Sequence, residues 1–215
     1  MGRRLRLPKK EHIYITGKTD PVHRHYHPVI SYFMNKRLDG ALELMSCGKV
    51  GKLLDIGYGG GIFLTELSSR CDELYGVDIH QNIDKVQEML AKENISAKLS
   101  YGDVTDLKFQ DKTFDRIVCI SVLEFVKDLD KAFSEMARVL KRDGDAIIGF
   151  PVENIITDIA FFMICINARK AHPVNQDDIL KAASKYFILE SMSRFPMNLP
   201  LKLSLFAHCR LRKRS

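Results

Sequence analysis

A glycine-rich run that follows an apolar segment is the part of the sequence best suited to ligand chemistry. Leu53-Leu-Asp-Ile-Gly-Tyr-Gly-Gly-Gly-Ile62 carries the chain from apolar residues directly into a cluster of glycines. Glycine removes the Cβ atoms that would block a ligand, and it lets main-chain N–H groups approach negative charge. The dinucleotide fingerprint G-x-G-x-x-G, begun at Gly57, is excluded because it requires glycine at Ile62. The run instead fits D-x-G-x-G-x-G from Asp55 to Gly61.

Further fragments follow the glycine-rich run in the order that one enzyme family has. They are Leu74-Tyr-Gly-Val-Asp78, Tyr101-Gly-Asp103-Val104, Phe114-Asp-Arg-Ile-Val-Cys-Ile-Ser121 and Val139-Leu-Lys-Arg-Asp-Gly144. Together with the run, they resemble the motifs of class I S-adenosylmethionine-dependent methyltransferases across residues 53–144. Two features depart from the family, because Tyr58 stands where a small residue is usual and Arg142-Asp143 replaces Pro-Gly. We therefore expect altered loops around the same kind of cofactor site.

The resemblance implies S-adenosylmethionine as the cofactor and S-adenosylhomocysteine as its product. It implies that Asp78 accepts both ribose hydroxyl protons, for which a carboxylate has the necessary pair of oxygens. It also implies that Asp103 accepts from the adenine amino group while the next main-chain amide faces the ring. The expected cofactor-binding residues are Asp55, Gly57, Tyr58, Gly59, Gly61, Asp78, Ile79, Asp103, Val104 and Ser121.

Alternation of short apolar runs with helical patterns predicts the scaffold that positions these residues. Strands are predicted at Lys52–Ile56, Glu73–Asp78, Lys98–Tyr101, Arg116–Ile120 and Ala146–Phe150. Apolar spacing predicts helices over 30–45, 130–140, 152–167 and 176–186. Asp128 or Asp130 is the expected N-cap of the second helix. Gly144 is expected to take a positive φ in the turn before the fifth strand.

Two strand-like runs at the end of the sequence, Phe187–Arg194 and Leu203–Arg212, predict a β-hairpin. The family fold then implies an α/β architecture: a Rossmann-like, doubly wound, seven-stranded and mostly parallel sheet whose last strand is antiparallel, with helices on both faces. The ligand site of such a sheet lies beyond the carboxyl ends of its strands. The helix over residues 30–45 is a candidate cover for one end of the sheet.

Length and composition indicate one globular domain. The chain has 215 residues, of which 46% are hydrophobic and 28% charged, and no apolar run has the length of a membrane span. We expect an N-terminal basic arm and lid helix over 1–46, a cofactor-binding core over 51–150, and acceptor-side helices with a hairpin over 151–215. The five cysteines form no C-x-x-C pair, which favours reduced thiols in the cytoplasm, and no ligand spacing indicates a metal.

Basic residues concentrate at both ends of a chain whose formal net charge is +6. Residues 1–10 carry five basic residues and no acid, and residues 209–215 carry four with no acid. We expect these charges to be solvated, because short chain ends commonly carry such runs. Contact with an anionic membrane surface or with nucleic acid is the alternative.

The segment after the fourth strand bears on the methyl acceptor. Ser121-Val-Leu-Glu124 lacks the Asn/Asp-Pro-Pro-aromatic motif of methyltransferases that act on amines of DNA bases, and Val122-Leu-Glu-Phe125 resembles the small-molecule group. That group includes quinone, sterol-like and natural-product methyltransferases. Apolar residues of the next helix are candidates for an acceptor cavity, with ordinary core or a dimer contact as the alternative: Ile155, Ile156, Ile159, Phe161, Phe162 and Ile164.

The sequence thus predicts in-line methyl transfer to a small metabolite, for which a lipophilic acceptor fits. A nucleic-acid or protein methyltransferase that docks through its basic ends is an alternative, as is a cofactor-binding protein of the same fold that transfers no methyl group. The oligomeric state stays open. Alignment of donor and acceptor supplies most of the rate, so no nucleophile is required. The candidate general bases, each with an alternative structural role, are Glu124, His25, His27 and His172.

Overall fold

The computed structural model describes residues 5–16, 22–45, 48–158, 173–196 and 199–214 of the chain. The strands in these ranges are β1 (Val50–Ile56), β2 (Cys71–Asp78), β3 (Lys98–Tyr101), β4 (Phe114–Ile120), β5 (Leu140–Pro151), β6 (Phe187–Phe195) and β7 (Phe206–Lys213). The α-helices are α1 (Ile30–Leu44), α2 (Leu64–Leu67), α3 (Ile83–Lys92), α4 (Leu129–Val139) and α5 (Gln176–Tyr186). No helix in the described ranges is long and apolar enough to cross a membrane.

The strands form one seven-stranded sheet in the order β3-β2-β1-β4-β5-β7-β6. Strands β1 to β5 pair in parallel, and β7 runs antiparallel to both of its neighbours, β5 and β6. The predicted Rossmann-like sheet and its C-terminal hairpin are therefore confirmed. The direction of winding reverses at β1, because β2 lies on one side of β1 and β4 on the other. Such a reversal opens a crevice at the carboxyl ends of the strands.

Helices cover both faces of the sheet, as predicted. Along β4, Ile117 and Cys119 join the apolar cluster under α4 and α5, and Val118 and Ile120 join the cluster under α1, α2 and α3. Burial on both faces explains why the central strands read as continuous apolar runs. Helix α4 begins at its predicted cap, because the side chain of Asp128 accepts from the main-chain N–H of Lys131.

Helix α1 packs closely on the hairpin side of the sheet. The ring of His208 on β7 donates through Nε2 to the carbonyl of Arg37 at 2.6 Å. A Cβ atom added to Gly40 would lie 2.5 Å from Nδ1 of the same ring. The absence of a side chain at Gly40 therefore allows the helix to lie directly on β7.

The predicted turn over residues 142–145 was wrong, because these residues belong to β5. That strand begins at Leu140, and Gly144 is not among the residues with a positive φ. The pairing register passes from Phe114 with Leu140 to Arg116 with Asp145, so the extra residues form a bulge in β5. A bulge has the local composition of a turn, which accounts for the error. The last strand was also predicted too early, because Leu201–Leu203 is a 3-10 turn and β7 begins at Phe206.

The N-terminal arm is part of the fold from residue 5 onward, although its described basic side chains, Arg6, Lys9 and Lys10, are exposed as predicted. The N–H of Arg6 donates to the side chain of Glu66 at 3.0 Å, and the side chain of Asn82 donates to the carbonyl of Thr16 at 2.6 Å. His12 contacts Glu93 on the end of α3 at 2.7 Å. Hydrogen bonds to main-chain groups of the arm hold it in place, and the distribution of charged residues in the sequence does not predict such bonds.

The C-terminal basic run is likewise built into the sheet. Arg210 contacts Asp145 at 2.8 Å, and Arg212 contacts Glu190 at 3.1 Å. The expectation of a solvated end was wrong here because residues 206–213 form a central strand. The predicted helix over 152–167 is described only at residues 155–158, which are helical. Ile159, Phe161, Phe162 and Ile164 lie outside the described residues.

Candidate functional site

The glycine-rich turn after β1 has the conformation that only glycine adopts freely. Gly57, Gly59 and Gly61 have φ values of 78°, 50° and 77°. A Cβ atom at Gly57 would collide with Val122, and one at Gly61 would collide with Val86 and Met89. At Gly59, however, an added Cβ would meet no atom within 4 Å. Two glycines thus allow close packing, and the third leaves open space beside the main chain.

Asp78, at the end of β2, is bonded to this turn. Its Oδ2 accepts from the main-chain N–H of Gly59 at 2.8 Å, and its Oδ1 accepts from the N–H of His80 at 3.1 Å. A carboxylate oxygen has two lone pairs, so each oxygen keeps capacity for one more donor. The side chain is 11% exposed. Asp78 is therefore held in place and can still accept a pair of hydroxyl groups.

His80 is a site residue that the sequence interpretation missed. Its Nε2 lies 2.9 Å from the carbonyl of Gly59, and its Nδ1 lies 3.1 Å from the main-chain N–H of Asn82. A carbonyl only accepts and an N–H only donates, so the proton of the neutral ring is on Nε2. His80 thereby joins the glycine-rich turn to the loop after β2. Its position two residues after Asp78 was the available signal.

Asp55 and Tyr58 are buried beneath the turn. Asp55 is 3% exposed, and this burial, together with the nearby charge of Asp78, raises the pKa of its carboxyl well above the usual range. Tyr58 is 5% exposed, and its ring occupies the space that a Cβ at Gly76 would fill. The ring also meets His80 edge-on at 5.0 Å between centroids. The departure from a small residue at position 58 is thus accommodated by a glycine on β2.

The loop after β3 brings Asp103 and Val104 to the same edge of the sheet. The main-chain N–H of Gly102 donates to the carbonyl of Asp78 at 2.9 Å, which joins the loops after β2 and β3. Asp103 is exposed, and its Oδ1 accepts from both the N–H and the hydroxyl of Thr105 at 2.8 Å. Val104 is buried, whereas Ile79 is 68% exposed. Asp103 therefore stabilises a turn, in addition to any contact with a ligand.

The segment that follows β4 lies against the glycine-rich turn through Val122, as the Gly57 contact shows. Ser121 has a φ of 57°, donates its N–H to Gly149 at 2.7 Å, and accepts at its hydroxyl from Arg37 of α1 at 3.2 Å. Glu124 follows in a 3-10 turn and is 3% exposed. Burial raises the pKa of Glu124 to about 8, although a hydrogen bond from its own main-chain N–H and the Arg37 charge act in the opposite direction.

Among the candidate bases within the described residues, only Glu124 belongs to the segment that contacts the glycine-rich turn. His25 is buried and contacts the side chain of Asn35 at 2.8 Å. His27 accepts at Nδ1 from the main-chain N–H groups of Val29 and Ile30 at the start of α1, so it caps this helix. His172 lies outside the described residues. The described part of the chain contains no cluster of three or more metal-ligating side chains.

A comparison with protein families identifies the unit that carries this site. Residues 54–148 match the family model described as "Methyltransferase domain". This match covers the stretch of the chain that holds the glycine-rich turn and the loops after β2 to β4. The domain begins within β1 and ends within β5, so it contains the expected cofactor residues from Asp55 to Ser121. The resemblance inferred from the motifs is therefore confirmed.

A curated relative of this methyltransferase domain is the demethylmenaquinone methyltransferase of Bacteroides fragilis. It is 34% identical over 118 residues, which cover 49% of this chain and 48% of the relative. The chain thus spans about half the length of this relative. The remainder of the relative is unmatched.

Solved structures share the fold over most of the chain. The N-methyltransferase NodS from Bradyrhizobium japonicum, in complex with S-adenosylhomocysteine, has a TM-score of 0.68 and 17% identity and covers 94% of this chain and 95% of its own. The [4+2]-cyclase SpnF has a TM-score of 0.67 and 14% identity and covers 83% of this chain and 80% of its own. The fold is therefore shared by proteins that are named for different reactions.

Proposed function

We propose that the chain binds S-adenosylmethionine and transfers its methyl group to a small molecule. The contact between Asp78 and Gly59 carries this proposal. This contact holds the carboxylate of Asp78, which can still accept hydrogen bonds, beside the exposed main chain of Gly59. Such a pair suits a ligand with a ribose diol. The family match of residues 54–148 supports the same cofactor.

The residues around the turn fit each part of this cofactor. Asp78 would accept the ribose hydroxyls, Gly59 would lie beside the ligand, and the Asp103–Val104 turn would face the adenine. Asp55 and Tyr58 support the turn from below and complete the expected set. S-adenosylmethionine, when bound, supplies a methyl group on a positively charged sulfur that can leave as a neutral thioether.

The chain's own contribution to the reaction is alignment and exclusion of water. Helix α1 lies over the hairpin side of the sheet, and Arg37 reaches from it to Ser121 at the carboxyl end of β4. This contact holds the segment that borders the glycine-rich turn. Fixed orientation of two reactants is worth several orders of magnitude in rate, which suits a reaction that needs no nucleophile from the protein.

A cleft of about 300 Å³ between α1 and β6 is the proposed entrance for the acceptor. Tyr32, Phe195 and His208 are among its lining residues, and Tyr32, Phe33 and Phe195 form a cluster of edge-on rings. Exposed aromatic rings favour a lipophilic or aromatic acceptor. The name of the Bacteroides relative, which specifies a quinone acceptor, is consistent with this class.

Methyl transfer is tested by incubating the purified protein with methyl-labelled S-adenosylmethionine and a panel of acceptors. The panel should include demethylmenaquinol, catechols, a sterol, a phosphatidylethanolamine, an RNA and a protein. Formation of S-adenosylhomocysteine with label in a small lipophilic product is the expected result. Label found only in RNA or in added protein would replace the small-molecule proposal with the macromolecular one.

A cofactor-binding protein that transfers no methyl group is the second candidate, because a [4+2]-cyclase shares this fold. Binding of S-adenosylmethionine without its consumption across the whole panel would favour that candidate. A nucleic-acid enzyme is less favoured, because Arg210 and Arg212 form ion pairs within the sheet. We also propose a cytoplasmic location, since the described cysteines, Cys71, Cys119 and Cys209, are buried thiols.

A further inference from the structure

Glu124 is a buried carboxyl group that the cofactor contacts described above do not use. Its side chain is 3% exposed, and its Oε2 has no hydrogen-bond partner in the structure. Burial of a carboxylate is costly, because the charge loses its hydration, and here one oxygen gains no donor in exchange. The site therefore favours the protonated form of Glu124.

The segment that carries Glu124 borders the turn where the cofactor is proposed to bind. The segment 121–124 packs on the glycine-rich turn, because Val122 occupies the space that a Cβ at Gly57 would take. On the other side, Arg37 of α1 bonds to Ser121 at 3.2 Å. Glu124 is thus buried in a segment whose preceding residues contact both the glycine-rich turn and the covering helix.

The charged and titratable groups that act on Glu124 come from two packed elements. Arg37, on α1, lowers its pKa, and Cys119, on β4, is a buried thiol whose own pKa is raised by Glu124. Strand β5 and helix α5 also pack on the 3-10 turn that carries Glu124. Among their described residues, none has a charge that shifts the pKa of Glu124. Asp55 is a second buried carboxyl, and its charge also acts on Cys119.

We infer that Glu124 is protonated in the cofactor-free protein and releases its proton when the sulfonium cation binds, becoming the carboxylate counter-ion of that cation. This inference rests on the proposed function. The balance is simple: one O–H bond of the carboxyl breaks, the proton goes to solvent, and the negative charge stays beside the incoming positive charge. S-adenosylhomocysteine has the same amino-acid end with a neutral sulfur, so it should release no proton from Glu124.

Because only S-adenosylmethionine releases this proton, its Kd should depend on pH more steeply than the Kd of S-adenosylhomocysteine. Because S-adenosylmethionine binds the deprotonated form, raising the pH toward the pKa of Glu124, about 8, removes the proton in advance and tightens binding. The expected slope approaches a tenfold change in Kd per pH unit below that value. For S-adenosylhomocysteine the corresponding slope is expected to be shallow.

The test is isothermal titration of both ligands at neutral pH in buffers of different ionisation enthalpy, which counts the protons released. Wild-type protein should release close to one proton per S-adenosylmethionine and markedly fewer per S-adenosylhomocysteine. Glu124→Gln, which keeps the shape of the side chain, should abolish the difference. Glu88→Gln serves as the matched control, because Glu88 is on α3 and pairs with Lys92 at 2.8 Å. A thermal melt of each variant verifies folding.

Infrared difference spectra of the wild-type protein give a second readout that needs no variant. A protonated-carboxyl band should disappear when S-adenosylmethionine is added and persist when S-adenosylhomocysteine is added. Equal proton release from the wild type and Glu124→Gln would assign the proton to another group, such as Asp55, and overturn the inference. Tight binding without proton release would also overturn it while leaving the proposed function intact. Absence of any binding would instead overturn the proposed function.

Discussion

The carboxylate of Asp78 and the main-chain N–H of Gly59 are joined by a 2.8 Å hydrogen bond. This bond makes the end of β2 and the glycine-rich turn after β1 one unit. The ring of His80 closes the same unit from the other side through the carbonyl of Gly59 at 2.9 Å. The carboxylate that would anchor the ribose is therefore fixed relative to the main chain of Gly59 before a ligand binds.

Replacing His80 by alanine is expected to weaken S-adenosylmethionine binding by roughly fivefold or more, because a net hydrogen bond contributes about 1 kcal/mol. Calorimetric titration of the wild type and the variant measures this effect. Gln81→Ala, at an exposed neighbouring position, is the control. Unchanged affinity in His80→Ala would show that the ring does not position the turn.

The contrast between His80 and the acids shows what spacing can predict in this site. Asp55 and Asp78 lie at the carboxyl ends of predicted strands and Asp103 lies just after one, so their place at one edge of a parallel sheet could be predicted from the sequence. The role of His80 depends on the Gly59 carbonyl and the Asn82 N–H, and no spacing rule specifies such main-chain partners. His27 was a candidate base for its residue type alone, and it caps α1.

For the strands, the approximate positions could be predicted but the boundaries could not. The central strands were predicted because burial on both faces leaves continuous apolar runs, but their starts at Val50, Cys71 and Phe114 were missed. The pairing of β5 across the bulge at residues 141–144 depends on contacts with β4 that are distant in sequence. For the same reason the docking of residues 5–16 could not be predicted, since Glu66, Asn82 and Glu93 hold this arm from distant positions.

Gly40→Ala is expected to destabilise the protein by about 1–3 kcal/mol, although alanine usually stabilises a helix relative to glycine. The reason is steric, because the new Cβ would lie 2.5 Å from Nδ1 of His208. Urea denaturation measures the change in the free energy of unfolding. In a His208→Ser background the same substitution should be neutral or stabilising. An equal cost in both backgrounds would mean that the clash is not the cause.

Asp145→Ala is expected to cost about 3–5 kcal/mol, because it removes the carboxylate that neutralises a buried guanidinium. Arg116 contacts Asp145 at 2.6 Å and 2.8 Å, and both side chains are under 5% exposed. Asp130→Ala, in the exposed pair with Lys185, should cost at most about 1 kcal/mol. Chemical denaturation of both variants gives the comparison. Similar losses would contradict the assignment of a structural role to the buried pair.

Glu124 should make the stability of the protein depend on pH in a defined direction. Its pKa is about 8 in the folded protein against an ordinary value of 4.5, so the folded state keeps a proton that the unfolded chain has released. The stabilisation is fully present below the ordinary value and is lost as the pH rises through the folded value. Glu124→Gln should therefore gain stability relative to the wild type between about pH 5 and about pH 9, measured by denaturation. Parallel pH profiles would contradict this prediction.

The most direct test of the proposed cofactor site is calorimetric titration with S-adenosylmethionine and S-adenosylhomocysteine, repeated with Asp78→Ala and with NADH as the control ligand. The account predicts binding of both sulfur compounds by the wild type, at least about tenfold weaker binding in the variant, and no comparable binding of NADH, since two charge-assisted hydrogen bonds are lost with the carboxylate. A folded, ligand-free wild type that binds neither sulfur compound, or a variant that binds both unchanged, would contradict it.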